Sequence, residues 1–453
     1  MEESQLRSTL KGEVIVSSDR GYDEARKVWN GMIDRHPSAV LRCTNTNDII
    51  TALRFARERG VSVAVRGGGH NVAGFGTCDD GIVIDLSRMK RIEVDPKAKL
   101  VRAQPGLTWG DFDRATQEHG LATTGGLVST TGIAGFTLGG GIGWLVRQHG
   151  LTIDNLVSVE MVTADGSVVR ASDTENPELL WGVKGGGGNF GIITSFEYRL
   201  HAVGPLVYGG AFFFPVDRAE EVLRTYSSIA HGFPDELTTL VAFLTAPPAP
   251  FIPQPIQGTK MIAIALCYNG PAETGAEVVS PLRMLKPSVD LVGPIPYLEL
   301  QKMFDAGSPF GIRAYWKTSY LKELSDGAIR TLVSHASKMV SPLSQLHIHH
   351  LGGAVSRTSG GGCFAHRDTP FVLNFVGEWV SPAEDASNIT WVRDAWEGMK
   401  PYSTGTPYVN FLGSEGGDQV RAAYGENYAR LAELKRKYDP ENFFKINQNI
   451  KPS

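Results

Sequence analysis

The sequence predicts an α+β fold in two domains, and three observations carry that expectation. The chain has 453 residues, more than the roughly 250–300 at which a single hydrophobic core stops growing. Its first 200 residues interleave helices with hairpins and short strands, unlike the strict alternation of a doubly wound parallel sheet. Around "HAVGPLVYGG" (201–210) the texture changes to long apolar strands separated by helices, which sets a domain boundary there.

Each element has a local cause. "NTNDIITALRFARERG" reads as a helix capped by Asn47, with Ile49, Ile50, Leu53 and Ala56 on one face and Gly60 at its end. "VSVAV" (61–65) and "GIVIDL" (81–86) are β-branched strands, and "RIEVDPKAKLVRAQPG" is a hairpin turning at Asp95 and Pro96. "TWGDFDRATQEHG" is a helix between a Thr108 cap and Gly120. "NLVSVEMVTADGSVVRAS" (155–172) is a second hairpin with Asp165 and Gly166 in a two-residue turn. "NPELLWGVKG" is a short helix and "IITSFEYRL" (192–200) a strand. In the second domain "RAEEVLRTYSSIAHG" is helical and "KMIAIALCYNG" a strand, while "TAPPAPFIPQPIQG" (245–258) breaks all periodicity and is expected to be an exposed loop. From 418 the chain is helical again, stopping at Asp439 and Pro440. There is no internal repeat.

Composition narrows the function. With 42% hydrophobic and 20% charged residues and a formal net charge of -4, the chain resembles an ordinary globular protein and offers no electrostatic footprint for nucleic acid. It has neither a signal-peptide core nor a run near the roughly 20 apolar residues that span a bilayer, so no membrane partner and a cytoplasmic location are expected. Cys43, Cys78, Cys267 and Cys363 form no CxxC pair and read as buried free thiols.

The 52 glycines are concentrated in blocks: "RGGGHN" (66–71), "LGGGIGW" (138–144), "KGGGGNFG" (184–191) and "GGGC" (360–363). "GGGNFG" matches G-x-G-x-x-G, but a helix precedes it and a strand follows, the reverse of a dinucleotide fingerprint. Its amides could still form an anion-binding nest. A single block is explained by tight turns alone, whereas three within 125 residues point to one extended ligand, such as a dinucleotide with a pyrophosphate and an aromatic ring. His70, at the end of a glycine loop, reads equally as a structural or a functional histidine. The chain has no G-x-S-x-G, H-E-x-x-H or G-x-x-x-x-G-K-[ST] motif. "HIHH" (347–350) places His347 and His349 on one strand face with no evident third ligand, so no metal is expected.

Taken together, "VRGGGHN", "GGLVSTTGIAGFTLGGGIGWLVRQHGLTIDNL", "LLWGVKGGGGNFGIITSFEY" and "ENYARLAELKRKYDPENFFKINQNI" resemble the bacterial FAD-linked oxidases with the fold of vanillyl-alcohol oxidase and p-cresol methylhydroxylase, in the berberine-bridge-enzyme-like branch. The likeness runs along nearly the whole chain and is loosest in the substrate half. It implies a PCMH-type FAD-binding domain over 1–205, completed by 425–453, and a substrate domain over 206–424 built on an antiparallel sheet flanked by helices.

The resemblance implies a covalent bond from His70 to the 8α-methyl of FAD, and no second, cysteinyl link because Val128 stands at that position. It builds the cofactor site from Arg66, Gly67, Gly68, Gly69, His70 and Asn71, then Thr131, Gly132, Gly135, Phe136, Leu138, Gly139, Gly140, Gly141 and Gly143. Asp154 and Asn155 are expected near the ring, Gly188, Asn189, Gly191, Ile192 and Ile193 around the ribityl and adenosine portions, and Asn447 and Asn449 of "NQN" returning to the flavin. Thr131 stands where a small residue resembles oxidases, and Phe136 where some relatives have a histidine. Relatives with a tyrosine base carry Y-x-N-Y, whereas this chain reads "YVNF", keeping Tyr408 and Asn410 but placing Phe411 at the second tyrosine.

Candidates for the vacant role are Tyr408, His349 or His350, and Glu378, with Asn374 on the same strand face as Glu378. Each has a plain structural alternative: a packed aromatic, a sheet-edge histidine, a paired carboxylate. A further alternative is an amine substrate bound in its neutral form, which needs no protein base. The expected activity is oxidation of a small organic molecule by hydride transfer to FAD, with molecular oxygen as second substrate and hydrogen peroxide as product, in a monomer or homodimer. Its rivals are a dehydrogenase or oxidative cyclase with another acceptor, a flavin-binding protein without turnover, and a metal-dependent hydrolase built on "HIHH".

Overall fold

The computed structural model describes residues 3–250, 252–358 and 361–453. Phe251 of the proline-rich stretch, and Ser359 and Gly360 at the fourth glycine block, lie outside the described residues. The expected α+β class is what the chain adopts. Its first half holds two sheets. In the smaller, Glu13–Val16 pairs antiparallel with Ala39–Arg42, which is followed in parallel by Ile82–Asp85 and Val63–Arg66. The other is antiparallel in the order Ile92–Asp95, Leu100–Ala103, Ile192–Arg199, Leu156–Val162, Val168–Ser172. From Leu206 the chain builds one large antiparallel sheet. Its order is Val289–Asp290, Leu206–Pro215, Lys260–Tyr268, Leu237–Thr245, Gln345–His350, Phe371–Trp379, Arg313–Leu321, with Gly293–Pro296 also pairing to Leu206–Pro215.

Several local expectations are met with small displacements. Helix Thr46–Arg59 ends at Gly60 in the left-handed region, but its cap is Asn45, whose side chain accepts the Asp48 amide at 3.1 Å; Asn47 already lies inside the helix. Thr108 caps Trp109–Gln117 reciprocally with Asp111, each side chain accepting the other's amide at 3.2 Å. The hairpin after Val162 closes through the Thr163 amide on the Ser167 carbonyl at 2.9 Å. That leaves Ala164, Asp165 and Gly166 in the turn, one residue more than expected. The proline-rich stretch joins Leu237–Thr245 to Lys260–Tyr268, yet Ala246 and Ile252 are buried, so it is anchored to the core at both points. All four cysteines are buried and unpaired.

The chain's end crosses back. Leu431 and Leu434 of helix Tyr428–Tyr438 share a core with Leu179, Leu180, Val183 and Phe190. The buried Lys435 ammonium donates to the Asn189 carbonyl at 2.7 Å and the Asp439 carboxylate at 2.6 Å. Tyr408, Leu412, Val420 and Tyr424 pack into the same core. A second tie runs the other way. The free edge of Arg313–Leu321 is covered by the N-terminal segment 29–31, through Gly31 amide to Ile312 carbonyl at 2.7 Å and Asn30, which exchanges hydrogen bonds with Ala314 at 2.9 and 3.0 Å. Among the described residues no helix is long and apolar enough to cross a membrane.

Candidate functional site

The first three glycine blocks and one face of the large sheet line a cavity of about 360 Å³, within the range of roughly 300–1,000 Å³ usual for small-molecule and cofactor sites. The first block meets Gly132, just ahead of the second, back to back: a Cβ on Gly68 would lie 2.4 Å from the Gly132 amide nitrogen, and the reverse is also true. Only glycine lets two loops approach so closely. Gly135 and Gly188 differ, because a Cβ there meets nothing within 4 Å and they line the cavity. Their missing side chains leave room for a ligand.

His70 stands on this wall. Its Nε2 is 3.0 Å from the Thr130 hydroxyl, and its ring stacks on Trp29 with centroids 5.5 Å apart. Enclosure by neighbours pushes its pKa down to about 4, so the imidazole is neutral at pH 7 and keeps one lone pair. Arg66 lines the cavity too, but its guanidinium is held by Asp85 at 2.7 Å and by the carbonyls of Ala25 and Lys27 at 2.6 and 3.1 Å. Among the described lining residues it is the single Lys or Arg, so the donors left for an anionic group are neutral: backbone amides and side chains such as Asn71 and Thr131.

Another part of the wall comes from sheet alternation. Asn374, Val376 and Glu378 point one way from Phe371–Trp379, as do Gln345, His347 and His349 from the neighbouring strand, where His347 pairs with Asn374 in register. Burial raises the Glu378 carboxyl to about 8; the Trp316 indole N–H lies close enough to lower it slightly without forming a well-aligned hydrogen bond. Burial also lowers His347 to about 4 and holds His349 well below the ordinary histidine value. This face therefore presents two neutral imidazoles and a carboxyl that is mostly protonated at pH 7.

Tyr408 is buried on the wall, and its hydroxyl accepts the Gly141 amide and the Asn410 amide group, each at 2.9 Å. Asn410 also donates to the Phe136 carbonyl at 2.9 Å. Burial raises the phenol's pKa and outweighs the opposite effect of its two donors. Tyr408 is thus a buttress under the second glycine block and has the wrong acidity for a base.

The cavity also brings together most of the expected cofactor positions: Gly67, Gly69, Asn71, Thr131, Phe136, Leu138, Gly139, Gly191, Ile192, Ile193 and Asn447. Others fall outside it. Asp154 is paired with Arg367 at 2.6 Å and Asn155 with His201 at 2.6 Å, so both brace the fold away from the cavity wall. Gly140, Gly141 and Gly143 pack instead against Phe364, Thr152 and Gly125. Asn189 faces Gln448 and Ile450, and in the closing motif Asn447 and Gln448 line the cavity while Asn449 does not. His350 points to the opposite side of its strand, toward Arg147 and Phe371.

Sequence reasoning missed Trp29, Trp316, Phe304 and Tyr424, whose roles rest on contacts distant in sequence. The Tyr424 hydroxyl and the side-chain oxygens of Asn447 and Asn374 are buried without a hydrogen-bond partner, and all three residues line the cavity. Unmet polar atoms beside an open glycine cradle are what a flavin dinucleotide would satisfy, so the residues present fit that group.

Comparison with known proteins agrees with this geometry. Residues 37–172 match the family model of an FAD binding domain, and residues 407–451 that described as berberine and berberine-like. An FAD-linked oxidoreductase of Dictyostelium discoideum is 33% identical, over 99% of this chain and 96% of that protein. The (R)-6-hydroxynicotine oxidase of Paenarthrobacter nicotinovorans is 28% identical, over 98% and 97%. Among solved structures, 6-hydroxy-D-nicotine oxidase from Arthrobacter nicotinovorans superposes with a TM-score of 0.90 at 26% identity, covering 100% of both chains. A chitooligosaccharide oxidase shares the fold, with a TM-score of 0.85 at 23% identity over 99% of each chain.

Proposed function

The chain belongs to the berberine-like FAD-linked oxidoreductases, and from that premise we propose that it is an oxidase carrying FAD on a single covalent bond to His70. Its substrate is a small organic molecule with an oxidisable C–H beside nitrogen or oxygen, and dioxygen is the final acceptor, leaving as hydrogen peroxide. FAD, when bound, supplies the two-electron acceptor; the protein supplies position and polarity.

One observation carries the reading: a neutral His70 beside the glycines lines the same cavity as the buried polar face of Glu378, Asn374 and His349. Gly68, Gly132, Gly135 and Gly188 leave space for the cofactor. Val128 offers no thiol for a second link, and Thr131 is small enough to leave dioxygen an approach. On the substrate side Asn374 and His349 orient the molecule through their unmet hydrogen-bonding atoms. Glu378 takes or shares the proton of the substrate's N–H or O–H as hydride departs. With no free Lys or Arg on the wall, an anionic substrate finds no counter-charge, which favours neutral or basic amines and alcohols. The name of the hydroxynicotine oxidase, 28% identical, supports the amine.

The test is a denaturing gel viewed for flavin fluorescence after acid treatment, beside intact masses of the wild type and His70→Ala. An FAD-sized mass increment that disappears in the variant is expected, followed by peroxide release during a screen of amines and alcohols. Free FAD released from the denatured wild type removes His70 from its role. Turnover of a substrate without peroxide, and sluggish reoxidation by dioxygen, would replace the oxidase with a dehydrogenase.

A further inference from the structure

A histidine that must meet one carbon atom needs its ring fixed in both free torsions, by contacts on its face and on its edge. His70 has both. Trp29 covers the face, with planes 18° from parallel, and the Thr130 hydroxyl holds the edge at Nε2. Nδ1 is engaged by no group among the described residues and is not sealed in.

Trp29 is itself locked. It is 1% exposed, its amide donates to the Gly69 carbonyl at 3.0 Å, and its carbonyl accepts the Gly311 amide at 2.9 Å. The indole N–H donates to the Ser308 carbonyl at 3.1 Å, and the ring meets Trp316 edge-on at 5.6 Å. One side chain thereby joins the loop that carries His70 to the segment 308–316 of the substrate half. The ring position is set by both halves of the molecule together.

We infer that Trp29 and Thr130 are positioning residues for flavin attachment, holding the His70 ring so that Nδ1, not Nε2, forms the bond. The inference rests on the covalent reading proposed above. The Thr130 hydroxyl occupies Nε2, and in the tautomer where Nε2–H donates to it the lone pair lies on Nδ1, the ring nitrogen left free to form the bond. In the net step one C–H bond of the 8α-methyl is replaced by C–Nδ1. The methyl hydrogen leaves as a proton while its bonding pair passes into the flavin, the imidazole releases its Nε2 proton, and dioxygen takes both electrons and both protons as hydrogen peroxide.

The experiment compares wild type with Trp29→Ala, Trp29→Phe, Thr130→Val and Thr130→Ser. The readouts are the linked fraction by intact mass, total flavin by absorbance, and the rate of attachment when FAD is added to flavin-depleted protein. Trp29→Ala and Thr130→Val are expected to bind flavin but attach it at least roughly tenfold more slowly, as misplacement of a reacting group does. Trp29→Phe and Thr130→Ser are expected to restore most of the rate. NMR of the flavin-bearing peptide from wild type is expected to show the bond at Nδ1. Equal attachment rates in all variants, or a bond at Nε2, overturn the inference. If Trp29→Ala fails to fold, the exposed Thr130 pair still decides the question. A wild type with no link at all overturns the covalent reading and this one with it, whereas a linked wild type with indifferent variants overturns this one alone.

Discussion

Replacing Glu378 with glutamine tests the substrate wall by two independent readouts. Burial raises this carboxyl from the ordinary 4.5 to about 8. At roughly 1.4 kcal/mol per pH unit, that separates its charged and neutral forms by on the order of 5 kcal/mol. The sign follows from proton binding: between those two values the folded protein keeps a proton that the unfolded chain has lost, so stability falls as pH rises through the window. Between about pH 5.5 and 8.5 the wild type is therefore expected to lose about 3 kcal/mol relative to Glu378→Gln, which has nothing to ionise. Denaturant unfolding at the two pH values measures the difference. If the carboxylate also takes the substrate proton, kcat/KM of the wild type rises with pH and levels off near 8, and the glutamine variant is slower by roughly 10²–10⁴. Parallel stability curves for the two proteins would refute the burial argument, and an unchanged rate would remove Glu378 from catalysis.

Further outcomes follow from other sites. Gly135→Leu projects into space where a Cβ meets nothing within 4 Å, so flavin content measured at 450 nm (about the flavin absorbance maximum) is expected to fall by roughly tenfold or more while the melting temperature holds. Asp113 is buried, its one hydrogen-bond donor is Gln301 at 2.7 Å, and burial lifts it to about 7. Its stability contribution also falls with rising pH, and Asp113→Asn is expected to gain on the order of 3 kcal/mol more at pH 8 than at pH 5 in calorimetry or denaturant unfolding. Lys435→Met strands the Asp439 carboxylate in the core, with an expected loss of about 3–5 kcal/mol in urea unfolding.

What was legible in the sequence is what neighbours along the chain decide. The Thr108 cap, the Gly60 stop and the hairpins depend on residues a few positions apart, and the alternation that puts His347, His349, Asn374 and Glu378 on one face needs only the period of a strand. The glycine blocks announced a ligand because glycine's value lies in what it lacks. Asp154 and Asn155 lie off the cavity wall for the opposite reason: their partners, Arg367 and His201, lie 213 and 46 residues away, and a motif does not show which of its polar residues the fold has already claimed. Trp29 was invisible for the same cause. Nothing near it in sequence marks it, yet it touches His70, Ser308 and Trp316.

The departure at Phe411 gains a physical reading from these contacts. Where the resemblance implies two tyrosines, this chain keeps Tyr408, and its hydroxyl is occupied by the Gly141 amide and Asn410, bracing the second glycine block. The two donors hold the phenol in place, and although they ease its ionisation, burial outweighs them and keeps the proton on, so Tyr408 stabilises the cofactor wall and leaves proton transfer to another group. Phe411 adds an apolar ring between Tyr408, 4.9 Å away, and His349, 5.4 Å away. That ring deepens the desolvation of the neighbouring histidine and keeps it neutral. The ionisable group left on the wall with an acidity near the working pH is Glu378, carried by the adjacent strand, and proton transfer and substrate choice are accordingly expected to respond to changes there and not at Tyr408.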